Sequence, residues 1–232
     1  CTAPRSGSTM LCGMLSATGV AGAPASYFHR RDRVSWARGL NLPDDVSLED
    51  ILTAVRGTAT AGLTGIRLQQ HSFAFLMEAL AAYGTTDPDR IDAAFGPTRY
   101  IWLRRRDKLA QAVSLLRAEQ TGLWHRNADG TDLERLEPTR DEGYDADAIT
   151  AQITAFKTAD RALLNWFADH RITPWSLTYE DLIEDPTAAL RMILIHVGLD
   201  AGLADTIPIP TKKLADAISD TWSSRYRHEV LA

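Results

Sequence analysis

Five consecutive residues, Arg5-Ser6-Gly7-Ser8-Thr9, stand directly before an apolar helical pattern. Gly7 permits a tight turn and a close approach of backbone to ligand. A helix opening at Ser8 and Thr9 presents unpaired N–H groups and the positive end of its dipole. Ser6, Ser8 and Thr9 add hydroxyls. Arg5 adds a planar donor fork suited to phosphate or sulfate oxygens. Together they read as an anion cradle at a helix N-terminus. The nucleoside-triphosphate motif G-x-x-x-x-G-K-[ST] places a lysine after its second glycine. Here the cation precedes the glycine and no lysine follows, which disfavours hydrolysis of a Mg-bridged γ-phosphate.

A second basic element lies at YIWLRRRDKLAQAVS, residues 100–114. A strand runs into Arg104, Arg105 and Arg106. Asp107 then caps a helix on which Ser114 looks back toward the start. Arginines this close cannot all be buried without partners. Arg105 and Ser114 together can grip one phosphate from two sides. Arg106 competes for the role, because a one-residue shift of the turn exchanges the two.

The elements that must hold these groups follow from local signals. Met10, Leu11, Met14 and Leu15 make the first helix face, and Gly19 stops it. Residues 22–46 are polar and Gly/Pro-marked. Ser47 and Asp50 resemble a capping box for a helix on Leu48, Ile51, Leu52 and Val55. Residues 62–68 read as a strand, 73–84 as a helix, 99–105 as a strand and 107–121 as a helix closed by Gly122. Residues 125–143 read as a loop. A long helix carries Ile149, Ile153, Phe156, Leu163 and Phe167. A strand at 172–179 has its proline at the start or edge, and Asp185-Pro186 opens a further helix. Strands alternating with helices predict an α/β layered domain with a mostly parallel central sheet.

Bulk properties narrow the class. The 232 residues suit a single domain over 1–232. Lysines and arginines number 25 against 30 acidic residues, a net charge of −5. That is not the basic excess of a general nucleic-acid binder. No run of about 18 apolar residues spans a membrane, and no signal-peptide pattern is present. Two cysteines, Cys1 and Cys12, make no disulfide framework, so a cytoplasmic setting is expected. The turn sits so near Cys1 that the strand expected before it lies truncated upstream.

Four segments taken in order resemble a known family: APRSGSTML, LSATGVAGAPASYF, RRDKLAQAVSLLRAEQTGLWHR and SDTWSSRYRHE. They resemble sulfotransferases that use 3′-phosphoadenosine-5′-phosphosulfate (PAPS), and among them the bacterial Stf0 branch. The likeness extends to lipopolysaccharide- and nodulation-factor-type sulfotransferases. It implies a P-loop-like fold and sulfuryl transfer to a carbohydrate or glycolipid hydroxyl. PAP is then the spent donor, no metal is required, and a homodimer is open by analogy. Arg5, Ser6, Gly7, Ser8 and Thr9 would hold the 5′-phosphosulfate, Arg5 also stabilising the leaving group. Arg105 or Arg106, with Ser114, would hold the 3′-phosphate. Lys213, Trp222, Arg225 and Tyr226 would close over the nucleotide, and Tyr179-Glu180-Asp181-Leu182 would be structural.

The chain departs from that branch at the general base. Ser26 stands where the trehalose-type form has a glutamate, and Ala23 replaces another acid. A serine is a poor proton acceptor at neutral pH. His29 is the first replacement, His71 the second and Asp32 the third, an imidazole having the better-placed pKa. Ser26, Tyr27, Arg67 and Trp124 are expected on the acceptor side, with Phe28 and Trp36 as further aromatic faces. Two other readings stand beside transfer. One is a PAP- or PAPS-binding protein without activity, and the other is a P-loop-like kinase.

Overall fold

The structure, a computed structural model, describes residues 1–212 and 214–230. Helix α1 (Ser8–Ala17) starts at Gly7 and buries Met10, Leu11, Met14 and Leu15, as its pattern predicts. The polar stretch 22–46 contains a helix that the sequence did not announce, α2 (Arg33–Gly39). Asp32 caps it by accepting from the Ser35 N–H at 2.8 Å, and Trp36 and Ala37 are its buried side. Helix α3 (Leu48–Arg56) has the expected reciprocal Ser47–Asp50 box.

Residues 62–68 do not form the expected strand. They make isolated bridges instead, Ile66 parallel with Ala25 and Leu63 antiparallel with Thr60, and Gln69 just beyond bridges to Thr2. Left-handed backbone at Ala61 and Gly62 breaks the extended run just before it can lengthen. Helix α4 (Gln70–Ala79) begins ahead of its apolar residues because Gln69 and Ser72 cap it. Helix α5 (Asp87–Phe95), also unanticipated, has a Thr86–Asp89 box and Pro88 in its first turn.

Strand β1 (Ile101–Arg104) leads to α6 (Lys108–Thr121), capped by Asp107 and closed by Gly122 at φ 68°. The expected loop at 125–143 is in part a hairpin, β2 (Leu123–Asn127) and β3 (Asp132–Arg135). Helix α7 (Ala146–Asp169) buries Ile149, Phe156, Leu163 and Phe167. Strand β4 (Trp175–Thr178) is followed by α8 (Tyr179–Glu184) and α9 (Pro186–Val197). A short β5 (Thr211–Lys212) and α10 (Ala217–Val230) end the described chain.

The parallel sheet is smaller than expected. Strands β1 and β4 pair in parallel, Ile101 opposite Trp175 and Arg104 opposite Thr178. Thr2 extends this order by single parallel bridges to Leu103 and Gln69. The second sheet, β3-β2-β5, is antiparallel. Helices supply most of the burial. Met14, Leu177, Leu190 and Ile193 form one core cluster, Phe28, Trp36, Ile51 and Leu76 a second. Val113, Leu116, Phe156 and Trp222 form a third. The anion turn, running from Ala3 to α1, lies where the Thr2 segment leaves the parallel sheet. Among the described residues no helix is long and apolar enough to cross a membrane.

Candidate functional site

The turn is strained at its two decisive positions. Arg5 has φ 61° and Gly7 φ 86°, both left-handed. Such backbone persists in a non-glycine residue only where its surroundings hold it. Here Gln111, fully buried on α6, donates from its side-chain amide to the Pro4 carbonyl at 2.7 Å. Gly7 is needed for space as well as geometry, because a Cβ there would lie 2.8 Å from Tyr179 Cδ2. Gly7→Ala is therefore expected to cost about 1–2 kcal/mol from backbone conformation alone. A melting experiment should show a fall of roughly 2–8 °C for a chain this size. An unchanged midpoint would refute the strained-turn account. No side chain caps α1, so its first N–H groups face the site unpaired by the usual cap.

Beside the turn opens a cleft of about 820 Å³. Arg5, Thr9, Arg105, Ser114, Arg117 and His125 are among its walls. Arg5 Nε donates to Ser114 Oγ at 3.0 Å, and Arg5 Nη1 donates to the Trp124 carbonyl at 2.6 Å. Arg105 Nη1 donates to the Arg5 carbonyl at 3.3 Å, and its guanidinium stacks on the Tyr179 ring at 4.4 Å. Arg105 Nε is buried with no hydrogen-bond partner among the described residues. Burial, and then the neighbouring Arg105, push Arg5 down to about 10. Burial likewise lowers Arg105. Two guanidiniums this close, bonded to carbonyls and a hydroxyl and not to carboxylates, leave charge that an anion would neutralise.

The two basic elements thus meet in one place, as expected. Of Arg105 and Arg106, only Arg105 is among the walls of the cleft. Arg106 turns away and pairs with Glu180 and Asp181 at 3.7 and 3.3 Å. Glu180 also accepts the backbone N–H groups of Arg106 and Asp107, so the segment at 179–182 builds the turn that aims Arg105.

Other expectations need correction. Ser6 points inward: it is fully buried, donates to the Ala3 carbonyl at 2.8 Å and meets the Thr2 hydroxyl. Ser8 is buried and stands outside the cleft wall. Trp222 and Tyr226 pack in the core against α6 and α7, with the Tyr226 hydroxyl 2.7 Å from Thr150 Oγ1. Arg225 binds Glu229 and stacks on Tyr144. Helix α10 meets the cleft through Ser219, Asp220 and Ser223 instead. The apolar pair at i and i+4 therefore reads as a core stripe. Lys213 lies outside the described residues.

On the side expected to take the acceptor, Arg67 joins the first turn of α1 to the loop at Ser26. Its Nη1 donates to Thr9 Oγ1 at 2.9 Å and its Nε to Ser26 Oγ at 2.7 Å. A recess of about 140 Å³ beside it includes Ser26, Tyr27, His29, Arg30 and Trp36. Phe28 and Trp36 are core residues with 0% and 2% exposure, so neither offers a free ring face. Trp124 gives its carbonyl to Arg5 while its ring packs partly on the third core cluster. Tyr27 is the aromatic left half-open, its hydroxyl on the Ala23 carbonyl at 2.5 Å. His29 Nδ1 and His71 Nε2 lie 3.3 Å apart. Burial lowers both imidazoles; next, His71 and Arg30 act on His29, and Arg30 acts on His71. Asp32 serves α2 as its cap.

One residue was missed by the sequence reading. His125 on β2 places Nε2 3.0 Å from Thr9 Oγ1 and 3.5 Å from Glu134 Oε2 on β3. Its only signal was position, three residues after a helix-stopping glycine. Among the described residues no three His, Cys, Asp or Glu side chains gather as a metal site would require.

The cleft is a basic one at a helix N-terminus, faced by a second basic helix start. The chain belongs to the Stf0 sulphotransferase family, whose pattern matches residues 1–229. It is 30% identical to a trehalose 2-sulfotransferase of Mycobacterium tuberculosis, with 97% of this chain and 92% of that protein aligned. It is 28% identical, over the same shares, to a trehalose 2-sulfotransferase of Mycolicibacterium smegmatis.

Proposed function

We propose that the protein moves a sulfuryl group from PAPS to a carbohydrate hydroxyl by in-line displacement. Family membership and the names of its relatives support the reaction class. The observation that carries the donor is the Arg5–Arg105 pair, two half-buried cations bonded to no carboxylate among the described residues. In this reading the turn and the first N–H groups of α1 take the 5′-phosphosulfate, in a P-loop-like layering. Arg105 and Ser114 take the 3′-phosphate.

The chemistry asks for alignment, charge stabilisation on the leaving phosphate and a receiver for the acceptor proton. Arg5 serves the second need, because it lies in the turn and keeps its positive charge at neutral pH. Ser26, Tyr27 and Arg67 set the acceptor loop against the donor turn. An imidazole from the set His29, His71 and His125 takes the proton. In this reading the acceptor is a saccharide or glycolipid head taken on the Ser26, Tyr27 and Arg67 side.

Calorimetry with PAP, AMP and Mg-ATP tests the reading. PAP should bind roughly 10–100-fold more tightly than AMP, the value of one added charge-assisted contact set of about 1.5–3 kcal/mol. Equal affinities, or a preference for Mg-ATP, would remove the PAPS assignment.

A further inference from the structure

Resting on the sulfuryl-transfer reading, one question is left open by the site: which imidazole receives the proton. Thr9 ends the anion turn, and Ser26 stands on the acceptor loop. Arg67 bonds to both hydroxyls. His125 Nε2 touches the same Thr9 oxygen at 3.0 Å. A hydroxyl that accepts from a guanidinium still has one hydrogen to give; with the proton of the neutral ring on Nδ1, Thr9 gives that hydrogen to Nε2. The Nε2 lone pair then reaches the junction of donor and acceptor sides through the Thr9 hydroxyl. His29 and His71 are bonded to each other, His29 at the recess, and neither is among the walls of the cleft beside the turn.

We infer that His125 Nε2 is the general base of the transfer and that donor binding switches it on. As the acceptor oxygen bonds to sulfur, its proton passes to Thr9 Oγ1 while the Thr9 hydrogen passes to Nε2. The bond between sulfur and the 5′-phosphate oxygen breaks, and its electron pair leaves with PAP. Glu134, beside the ring, stabilises the imidazolium that forms.

The switch follows from the groups that face the ring. Arg5 approaches from the turn, Arg67 from the 62–68 segment, Glu134 from β3 and Thr9 from α1. Burial, then Arg5, then Arg67, hold the imidazole down at about 3. At neutral pH the empty site therefore has an unprotonated but weak base. Arg5 and Arg67 are the cations that a phosphosulfate would pair with. Once an anion neutralises them, the part of the depression that Arg5 and Arg67 cause is lifted and the ring becomes a stronger base. The donor arms its own base, and the acceptor hydroxyl is not activated before PAPS is in place.

Ring resonances of His125 in the full chain, titrated with and without saturating PAP, test this without any acceptor. The titration midpoint should move to higher pH when PAP is bound. A midpoint that stays or falls, with PAP demonstrably bound, overturns the base assignment alone. Failure of wild type to bind PAP overturns the sulfuryl-transfer reading beneath it. A second arm uses ³⁵S-labelled PAPS with trehalose. His125→Gln, which keeps a partner for Thr9, should lower kcat on the order of 100-fold while the KM for PAPS stays near wild type. A larger fall in kcat for His29→Gln than for His125→Gln would transfer the role to the recess pair.

Discussion

Arg5→Ala is expected to weaken both PAP and AMP by roughly 10–100-fold, the loss of a charge-assisted hydrogen-bond pair worth about 1.5–3 kcal/mol. Arg105→Ala should weaken PAP by a similar factor and leave AMP nearly unchanged. The contrast follows from the proposed division of the cleft. Arg5 belongs to the turn assigned to the 5′ group, and Arg105 comes from the segment ahead of α6 assigned to the 3′-phosphate, reaching the turn at the Arg5 carbonyl. AMP has no 3′-phosphate, so it cannot report on Arg105. Calorimetry on the four protein–ligand combinations decides the matter. If Arg105→Ala weakens AMP as much as PAP, both arginines hold one phosphate, and the division into 5′ and 3′ elements is wrong.

The unliganded stability of Arg5→Ala should tell the same story from the other side. Arg5 and Arg105 repel each other, and burial already lowers both. Removing one therefore relieves the other. The variant should melt no lower than wild type without ligand, yet gain less from added PAP. A structural arginine would behave in the opposite way, its removal destabilising the empty protein.

What the sequence showed depended on how local the signal was. Helices α1, α6 and α9 were legible because caps and stops sit within a few residues: Asp107 and Gly122, Asp185 and Gly198. That the turn at Arg5 and the start of α6 face one cleft was legible because the two elements bear distinct chemistry that an anion would unite; that Ser114 meets Arg5 and not Arg105 was not. The hairpin was not. All four β3 residues, Asp132 to Arg135, are exposed, so no alternation of apolar and polar side chains marks the strand. His125 was lost with it. Residues 62–68 misled in the other direction, since their β-type composition pairs only at single bridges. The inward turn of Ser6 was beyond reach, because two serines flanking a glycine look alike until the backbone is placed. Trp222 and Tyr226 carried a core signal that the family resemblance overrode.

Gly122→Ala carries the largest expected effect on the architecture of the site. Gly122 has φ 68°, and a Cβ there would stand 1.9 Å from the Leu136 carbonyl oxygen. That oxygen belongs to backbone, and Leu136 N–H already donates to the Gly122 carbonyl at 2.8 Å. No rotamer change can relieve the overlap, so the hairpin must swing away from the end of α6. Left-handed strain of about 1–2 kcal/mol adds to overpacking of about 1–3 kcal/mol, for a loss of roughly 2–5 kcal/mol. Function should suffer in step, because β2 carries the Trp124 carbonyl that receives Arg5 and the His125 ring that meets Thr9. Gly130→Ala is the control. It sits at the hairpin tip with φ 92° and nothing within 4 Å of its Cβ position. It shares the backbone strain without the collision, so it should lose only about 1–2 kcal/mol and keep PAP affinity. Chemical denaturation and PAP calorimetry on both variants separate the two causes. Equal losses would mean that conformation alone governs the turn. A selective collapse of PAP binding in Gly122→Ala would mean that the contact between α6 and Leu136 is what holds the cleft wall in place.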